Sequence, residues 1–183
     1  MRFERPSSNA LWQTDWTRLG TSWVIAIMDD ASRLVVGYGE FDSATAENSA
    51  LVLEEAIRKW GTPKSVLTGH DTQFVPTSKD ASPENHAFQQ ALKRHGIKHI
   101  LARVNHPQTC GKVERFFGEL KRKLHHFRNL NHFVEWYNEV RPHMSLDWDG
   151  LETPFQAFRR KLPKAIKAGI EVKIHESQNT SET

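Results

Sequence analysis

The sequence predicts a single mixed α/β domain, a five-stranded sheet flanked by helices. Three observations carry that expectation. The chain has 183 residues, enough for one hydrophobic core. Three short segments with strand character come in succession near its start, separated by turn chemistry. After them, runs with helical spacing alternate with short apolar runs, giving the order β-β-β-α-β-α-β-α-α.

Each element follows from its residues. Trp12, Thr14 and Trp16 alternate with Leu11, Gln13 and Asp15, the period of a strand that carries one acid. Trp23 to Met28 is a short apolar run, Asp29-Asp30-Ala31-Ser32 supplies a turn, and Leu34 to Tyr38 returns as a second run. An antiparallel hairpin is expected there. Ala46, Ala50, Leu53 and Ile57 recur at helical spacing, with Ser43 as the expected N-cap and Gly61-Thr62-Pro63 as the stop. Lys64 to Thr68 reads as a strand leading into Gly69-His70-Asp71-Thr72-Gln73-Phe74. Pro83 opens a helix through Phe88 and Leu92 to His95, and Ile97 to Leu101 is the fifth strand. Val113, Phe116, Phe117, Leu120, Leu124 and Phe127 form an apolar helical stripe. Leu130 to Val140 reads as a further helix, broken at Arg141-Pro142, and Thr153-Pro154 starts a last short one. The expected division is a lead-in over 1–10, a core over 11–160 and a C-terminal extension over 161–183, its polar end disordered.

Composition excludes several classes. The single cysteine, Cys110, rules out an intramolecular disulfide framework and a cysteine-rich zinc module. Together with His106 it is at most half a metal site, and it reads as a buried, inert thiol. No apolar run marks a secretory signal or a membrane span, so a soluble, cytoplasmic protein is expected, nucleoid-associated if the source is prokaryotic. No glycine-rich phosphate loop joins a strand to a helix.

The net charge of +3 is small, but its distribution is uneven. Residues 103–128 hold seven Lys or Arg (103, 112, 115, 121, 122, 123, 128) against Glu114 and Glu119, a local +5. Glu114 lies at the edge of the apolar helical face, beside Gly118, Lys121 and His125. Asp15 sits mid-strand among apolar neighbours, where a carboxylate faces water at an edge or must be neutralised. Taken alone, each acid has an ordinary explanation. An acid embedded in a basic helix also suits a site where cations neutralise phosphates and carboxylates collect hard divalent metal. Lys112, Arg115, Lys121, Arg122, Lys123 and Arg128 read as an ordinary solvated helix face; the motifs that surround them make contacts to a DNA backbone, positioning it without reading sequence, an equal reading. Asp29 and Asp30 are read as turn residues. Trp136 and Tyr137 are read as packing, while Arg141 is balanced between packing and DNA contact.

Several motifs, in order, resemble the catalytic core of insertion-sequence transposases and retroviral-type integrases, the DDE superfamily. They are Trp12-Gln13-Thr14-Asp15, Asp29-Asp30-Ala31-Ser32-Arg33, His106-Pro107-Gln108-Thr109, Gly111-Lys112-Val113-Glu114-Arg115-Phe116 and Trp136-Tyr137-Asn138…Arg141-Pro142-His143. The resemblance covers residues 10–160. It implies a ribonuclease H-like fold, a DNA partner, and metal-dependent strand cleavage and joining with Mg²⁺ or Mn²⁺. It implies Asp15 as the first catalytic, metal-binding acid and Glu114 as the last. Homo-oligomers are common in that family. Its DNA-reading domain normally lies upstream, so the chain is expected to be a core or part of a longer transposase, binding DNA with little sequence preference.

The middle acid departs from the pattern. The family has Thr/Ser-Asp-(Asn or His)-Gly-x-x-Phe, and this chain has Thr68-Gly69-His70-Asp71-Thr72-Gln73-Phe74. Asp and Gly have changed places. Two extended residues span about 6.6 Å, so Asp71 completes the catalytic, metal-binding set only if the loop re-folds. Cys110 stands where the family usually has Asn. Two accounts fit: a relocated acid, or a decayed element that folds and binds DNA with impaired catalysis. The narrow tolerance of metal geometry favours impairment, in which case exchanging residues 69 and 71 should raise Mn²⁺-dependent activity. A metal-dependent nuclease of the same fold is the rival enzyme.

Overall fold

The computed structural model describes residues 5–76, 83–102 and 111–163. His106, Cys110 and Arg103, singled out above, lie outside these residues. The five strands are β1 (Trp12–Leu19), β2 (Ser22–Asp29), β3 (Val35–Phe41), β4 (Ser65–Thr68) and β5 (Lys98–Leu101). They form one sheet in the order β3-β2-β1-β4-β5. The β1–β2 and β2–β3 pairs are antiparallel, and β1–β4 and β4–β5 are parallel. The helices are α1 (Ala46–Trp60), α2 (Ala87–Arg94), α3 (Gly111–Lys123), α4 (Leu130–Glu135) and α5 (Pro154–Lys161). The mixed, helix-flanked sheet expected from the sequence is therefore what forms.

Strand alternation divides the core into two layers. Ile25 and Ile27 face one side with Trp12, where Leu53 and Ala56 of α1, Phe88 of α2 and Phe158 of α5 pack. Val24, Ala26 and Met28 face the other side, against Val113, Phe116, Phe117 and Leu120 of α3 and Phe133 of α4. Gly37 of β3 lets α1 approach closely: a Cβ there would stand 3.1 Å from both Ala56 Cβ and Val52 Cγ1.

Four helix boundaries differ from the sequence expectation, each for a local reason. The N-cap of α1 is Thr45, not Ser43, because the Thr45 hydroxyl accepts from Asn48 N–H at 3.1 Å. The segment from Pro83 begins as a single 3₁₀ turn, and α2 starts only after His86, whose ring caps Gln89 N–H. The apolar stripe of α3 outlasts its α-helix, which tightens to a 3₁₀ turn over Leu124–His126. Beyond α4 the helix widens over Trp136–Val140, where Arg141 N–H donates to Trp136 O across five residues.

The widened turn has a structural use. It presents Asn138 to the edge strand, where Asn138 Oδ1 accepts from Val35 N–H at 2.9 Å and Nδ2 donates to Val35 O at 3.0 Å. Both groups are buried, next to a register shift between Ile27 and Met28. Asn138→Ala removes both partners at once. It should cost about 2–4 kcal/mol, read as a lower urea midpoint at unchanged slope.

Candidate functional site

The site begins with the parallel register of β1 and β4. Gln13 stands level with Leu67, the last pair of the two strands; the same register continued two residues further would set Asp15 level with Gly69. Alternation turns Gln13 and Asp15 away from Trp12 and Trp16, toward the layer containing Ala26, Asp15's partner across β2. That is the layer covered by α3, the helix that carries Glu114.

The loop after β4 is folded, not extended. Phe74 N–H and Val75 N–H both donate to Asp71 O, at 2.9 and 3.1 Å, so the chain turns back at Asp71. Its carboxylate folds over Gly69: a Cβ at residue 69 would lie 3.2 Å from Asp71 Oδ2. The acid of residue 71 thus reaches back to the space that a residue-69 side chain would enter.

Asp15 responds to this company. Its carboxyl is pushed up from 3.8 to about 6. Burial is the largest cause; the Trp16 N–H, donating to Oδ1 at 2.8 Å, opposes it; the charges of Asp71 and Glu114 raise it further. Those two acids therefore act on Asp15 from nearby. Neither has a cationic partner among the described residues. The donor set is all carboxylate oxygen with mutual repulsion, which suits a hard divalent cation. Among the described residues, however, no group of three or more His, Cys, Asp or Glu is close enough to form a finished metal cage. The carboxylates are neighbours that a cation would have to draw together.

The loop is held from behind by histidines, of which His99 is kept neutral by burial. Gln89 Nε2–H donates to Phe74 O and meets His99 Nδ1 at 2.9 Å, so Nδ1 is the acceptor. His99 Nε2–H then donates to Thr68 Oγ1 at 2.9 Å, and Thr68 Oγ1–H donates to Gly69 O at 2.7 Å. Burial, then the neighbouring His86 and His70, lower the His99 pKa and keep this direction of donation. His86 Nε2 meets Thr72 O at 2.9 Å and His70 Nε2 meets Ala102 O at 2.8 Å. The sequence reading left His70 open and did not single out His99 or His86.

The six cations divide by their position around α3. At about 100° per residue, Lys121 falls within 20° of Glu114, and Arg122 and Arg115 follow at 80° and 100°. All three side chains are exposed, as is Arg128. Lys112 and Lys123 lie on the far flank with protein partners. Lys112 Nζ sits 2.5 Å from Asp30 Oδ1 with its side chain 11% exposed. Lys123 Nζ is 3.0 Å from Glu119 Oε1 and 4.7 Å from the Trp136 ring centre. Arg141 Nε also donates to Glu119 Oε1, at 2.7 Å, and its guanidinium lies over Tyr137. Tyr137 is buried, as the packing reading held.

Asp29 and Asp30 do shape the β2–β3 turn, but both are buried. Asp29 accepts from Asn9 N–H, Ser32 N–H and Ser32 Oγ–H. Burial nevertheless pushes its carboxyl up to about 6. Asp30 has a wider set of partners, reaching β1 and α3.

Comparison with known proteins agrees with the fold. A family model described as Integrase core domain matches residues 5–107, and a second of the same description matches residues 95–150. The transposase for transposon Tn552 of Staphylococcus aureus is 31% identical over 134 residues, 62% of this chain and 26% of that protein. The chain thus spans about a quarter of that relative. Among solved structures, the catalytic core domain of BIV integrase superposes with a TM-score of 0.64 at 20% identity, covering 96% of this chain and 99% of that one. The HTLV-2 integrase catalytic core domain, solved in complex with magnesium in a dimeric form, gives 0.63 at 20% identity over 84% and 99%. At that identity the likeness is one of fold, the ribonuclease H-like sheet.

A carboxyl raised above its unfolded value is ionised at a cost in the folded state. Stability therefore falls as pH rises from about 4 to about 6, and the penalty is full above that. Asp15→Asn should stabilise the metal-free protein at pH 7.5 by about 1–3 kcal/mol. The gain should vanish below pH 4 in thermal melts, while the Asp29 contribution persists in both proteins.

Proposed function

This chain belongs to the integrase core domain family, and from that premise we propose that it cleaves and joins DNA strands by metal-dependent polynucleotidyl transfer. Asp15, Asp71 and Glu114 are the catalytic, metal-binding acids. The observation that carries this is the place of the Asp71 carboxylate, 3.2 Å from where a residue-69 side chain would begin. The loop has re-folded so that the exchanged Asp lies beside the position the family pattern gives it. This favours a relocated acid over a decayed one.

Each acid has its own task. Asp15 is fixed on a strand, with Oδ1 held by Trp16 N–H, leaving Oδ2 without that bond. Asp71 approaches from the turn beside it and Glu114 from the first turn of α3. Mg²⁺ or Mn²⁺, when bound, would activate a water or a terminal hydroxyl and stabilise the leaving oxygen. Arg115, Lys121, Arg122 and Arg128 would hold the phosphodiester backbone on the Glu114 side of the helix, so affinity should fall steeply with salt. Lys112 and Lys123 would contribute less, being engaged with Asp30 and Glu119. The partners under this reading are DNA and a second copy of the chain. No helix among the described residues is long and apolar enough to cross a membrane.

One observation favours a second reading. The three acids are not gathered into a finished set, as would suit a non-cleaving DNA-binding remnant. Nicking of a supercoiled plasmid in Mn²⁺ separates the two, and joining to a target duplex separates a transposase from a nuclease of this fold.

With a relocated acid, Asp71→Asn should lower Mn²⁺-dependent nicking by about 100-fold, the order expected for one catalytic group. Gly69→Asp with Asp71→Gly should stay within a few-fold of the parent. A tenfold or larger gain in the exchanged protein would show that the parent is impaired.

A further inference from the structure

We propose that Asp30 is a positioning residue that sets the distance between the two strand- and helix-borne acids, through Gln13 and Lys112. The inference deepens the catalytic reading above and rests on it. Its starting point is a coincidence in sequence that the fold makes physical. Gln13 lies two residues before Asp15, and Lys112 lies two residues before Glu114. Both side chains end on the same carboxylate oxygen: Gln13 Nε2–H donates to Asp30 Oδ1 at 2.6 Å, and Lys112 Nζ donates to it at 2.5 Å.

Asp30 suits a hub. Its side chain is 4% exposed. Oδ2 accepts from Arg5 N–H at 2.9 Å, and the backbone carbonyl accepts from Lys112 Nζ at 3.1 Å and from Arg33 Nη1. The residue therefore joins the lead-in segment, β1, the β2–β3 turn and the first turn of α3. A turn needing only Asx chemistry has no use for a buried carboxylate with partners on three other segments. Asp29 already provides that chemistry through Ser32.

Geometry explains why this bears on the site. Residues two apart on a strand share a face, so a side chain fixed at 13 fixes the rise and tilt of Asp15. Two residues apart on a helix are about 160° apart around the axis. Lys112 thus grips the far flank of α3 and turns Glu114 toward β1. Lys123 ties that same flank to Glu119, a residue of the same helix, so it cannot set the helix against the sheet. The Lys112–Asp30 tie crosses from helix to sheet at the turn where Glu114 sits.

A buried ion pair broken on one side leaves an uncompensated charge, whereas replacing both charges is often tolerated. The test therefore uses the full chain with Asp30→Asn, with Lys112→Met, and with both together. Two quantities are read: Mn²⁺ affinity by electron paramagnetic resonance, and hydrogen exchange of peptides covering 111–118. The double variant should melt close to the parent, yet bind Mn²⁺ about 10- to 100-fold more weakly, the usual cost of losing a group that orients a metal ligand. Exchange in 111–118 should rise about tenfold, with 65–75 unchanged. Parent-like affinity or parent-like exchange in the double variant overturns the inference, since a merely stabilising pair would alter melting alone. Glu114→Gln is the control for the underlying reading. If it binds Mn²⁺ as the parent does, the metal assignment falls, and the exchange measurement alone decides whether the tie sets the helix.

Discussion

The parallel pairing of β1 with β4 is the constraint on which the rest of the site depends. It aligns Gln13 with Leu67, and so directs Asp15, two residues on, toward the end of β4 where the Gly69 loop begins. Every other feature answers the consequence of that alignment. A half-buried carboxylate on β1 has to be matched, and what the fold brings to it are two more carboxylates. Burial and like charge push Asp15 up to about 6. The metal-free protein therefore carries an electrostatic cost in its site that a divalent cation would remove. Such a cost is found where pKa perturbation serves function more often than where it serves stability.

Most of the architecture was legible because it rests on periodicity. Trp12 and the α3 stripe place themselves by spacing alone, and the element order follows; the continuous apolar run over 23–28 marks a strand without telling its two faces apart. The acids on β1 and α3 were also legible, as carboxylates in surroundings that disfavour or oppose them. What periodicity does not encode is where a side chain in a turn points. The step from Gly69 to Asp71 looked disabling because an extended segment would carry the acid about 6.6 Å too far. The chain instead reverses at Asp71, with two amides on its carbonyl and a Gln89–His99–Thr68 relay behind it. Residues on α2 and β5 supply that support, and no local pattern around residue 69 announces it.

The same limit applies to charge. Six cations near Glu114 read as one basic surface, yet Lys112 and Lys123 are engaged by Asp30 and Glu119. Their carboxylate partners come from a turn some eighty residues earlier and from the preceding turn of α3. A signal for the first did exist: Gln13 and Lys112 each precede an acid by two residues. Only the fold shows that both meet Asp30. Under the proposed function, the three acids, the loop that carries Asp71 and the Asp30 tie behind the other two form one arrangement, built from β1, β4, β5, α3 and the turn after β2.

The central claim is that Asp71 occupies the place of the missing acid. Crystals grown with Mn²⁺ test it most directly, through the anomalous signal of the metal. The account predicts a peak at bonding distance from both the Asp15 and Asp71 carboxylates, with the backbone at Gly69 unmoved. A peak held by Asp15 and Glu114 with Asp71 turned away, or no peak at all at saturating Mn²⁺, would contradict it.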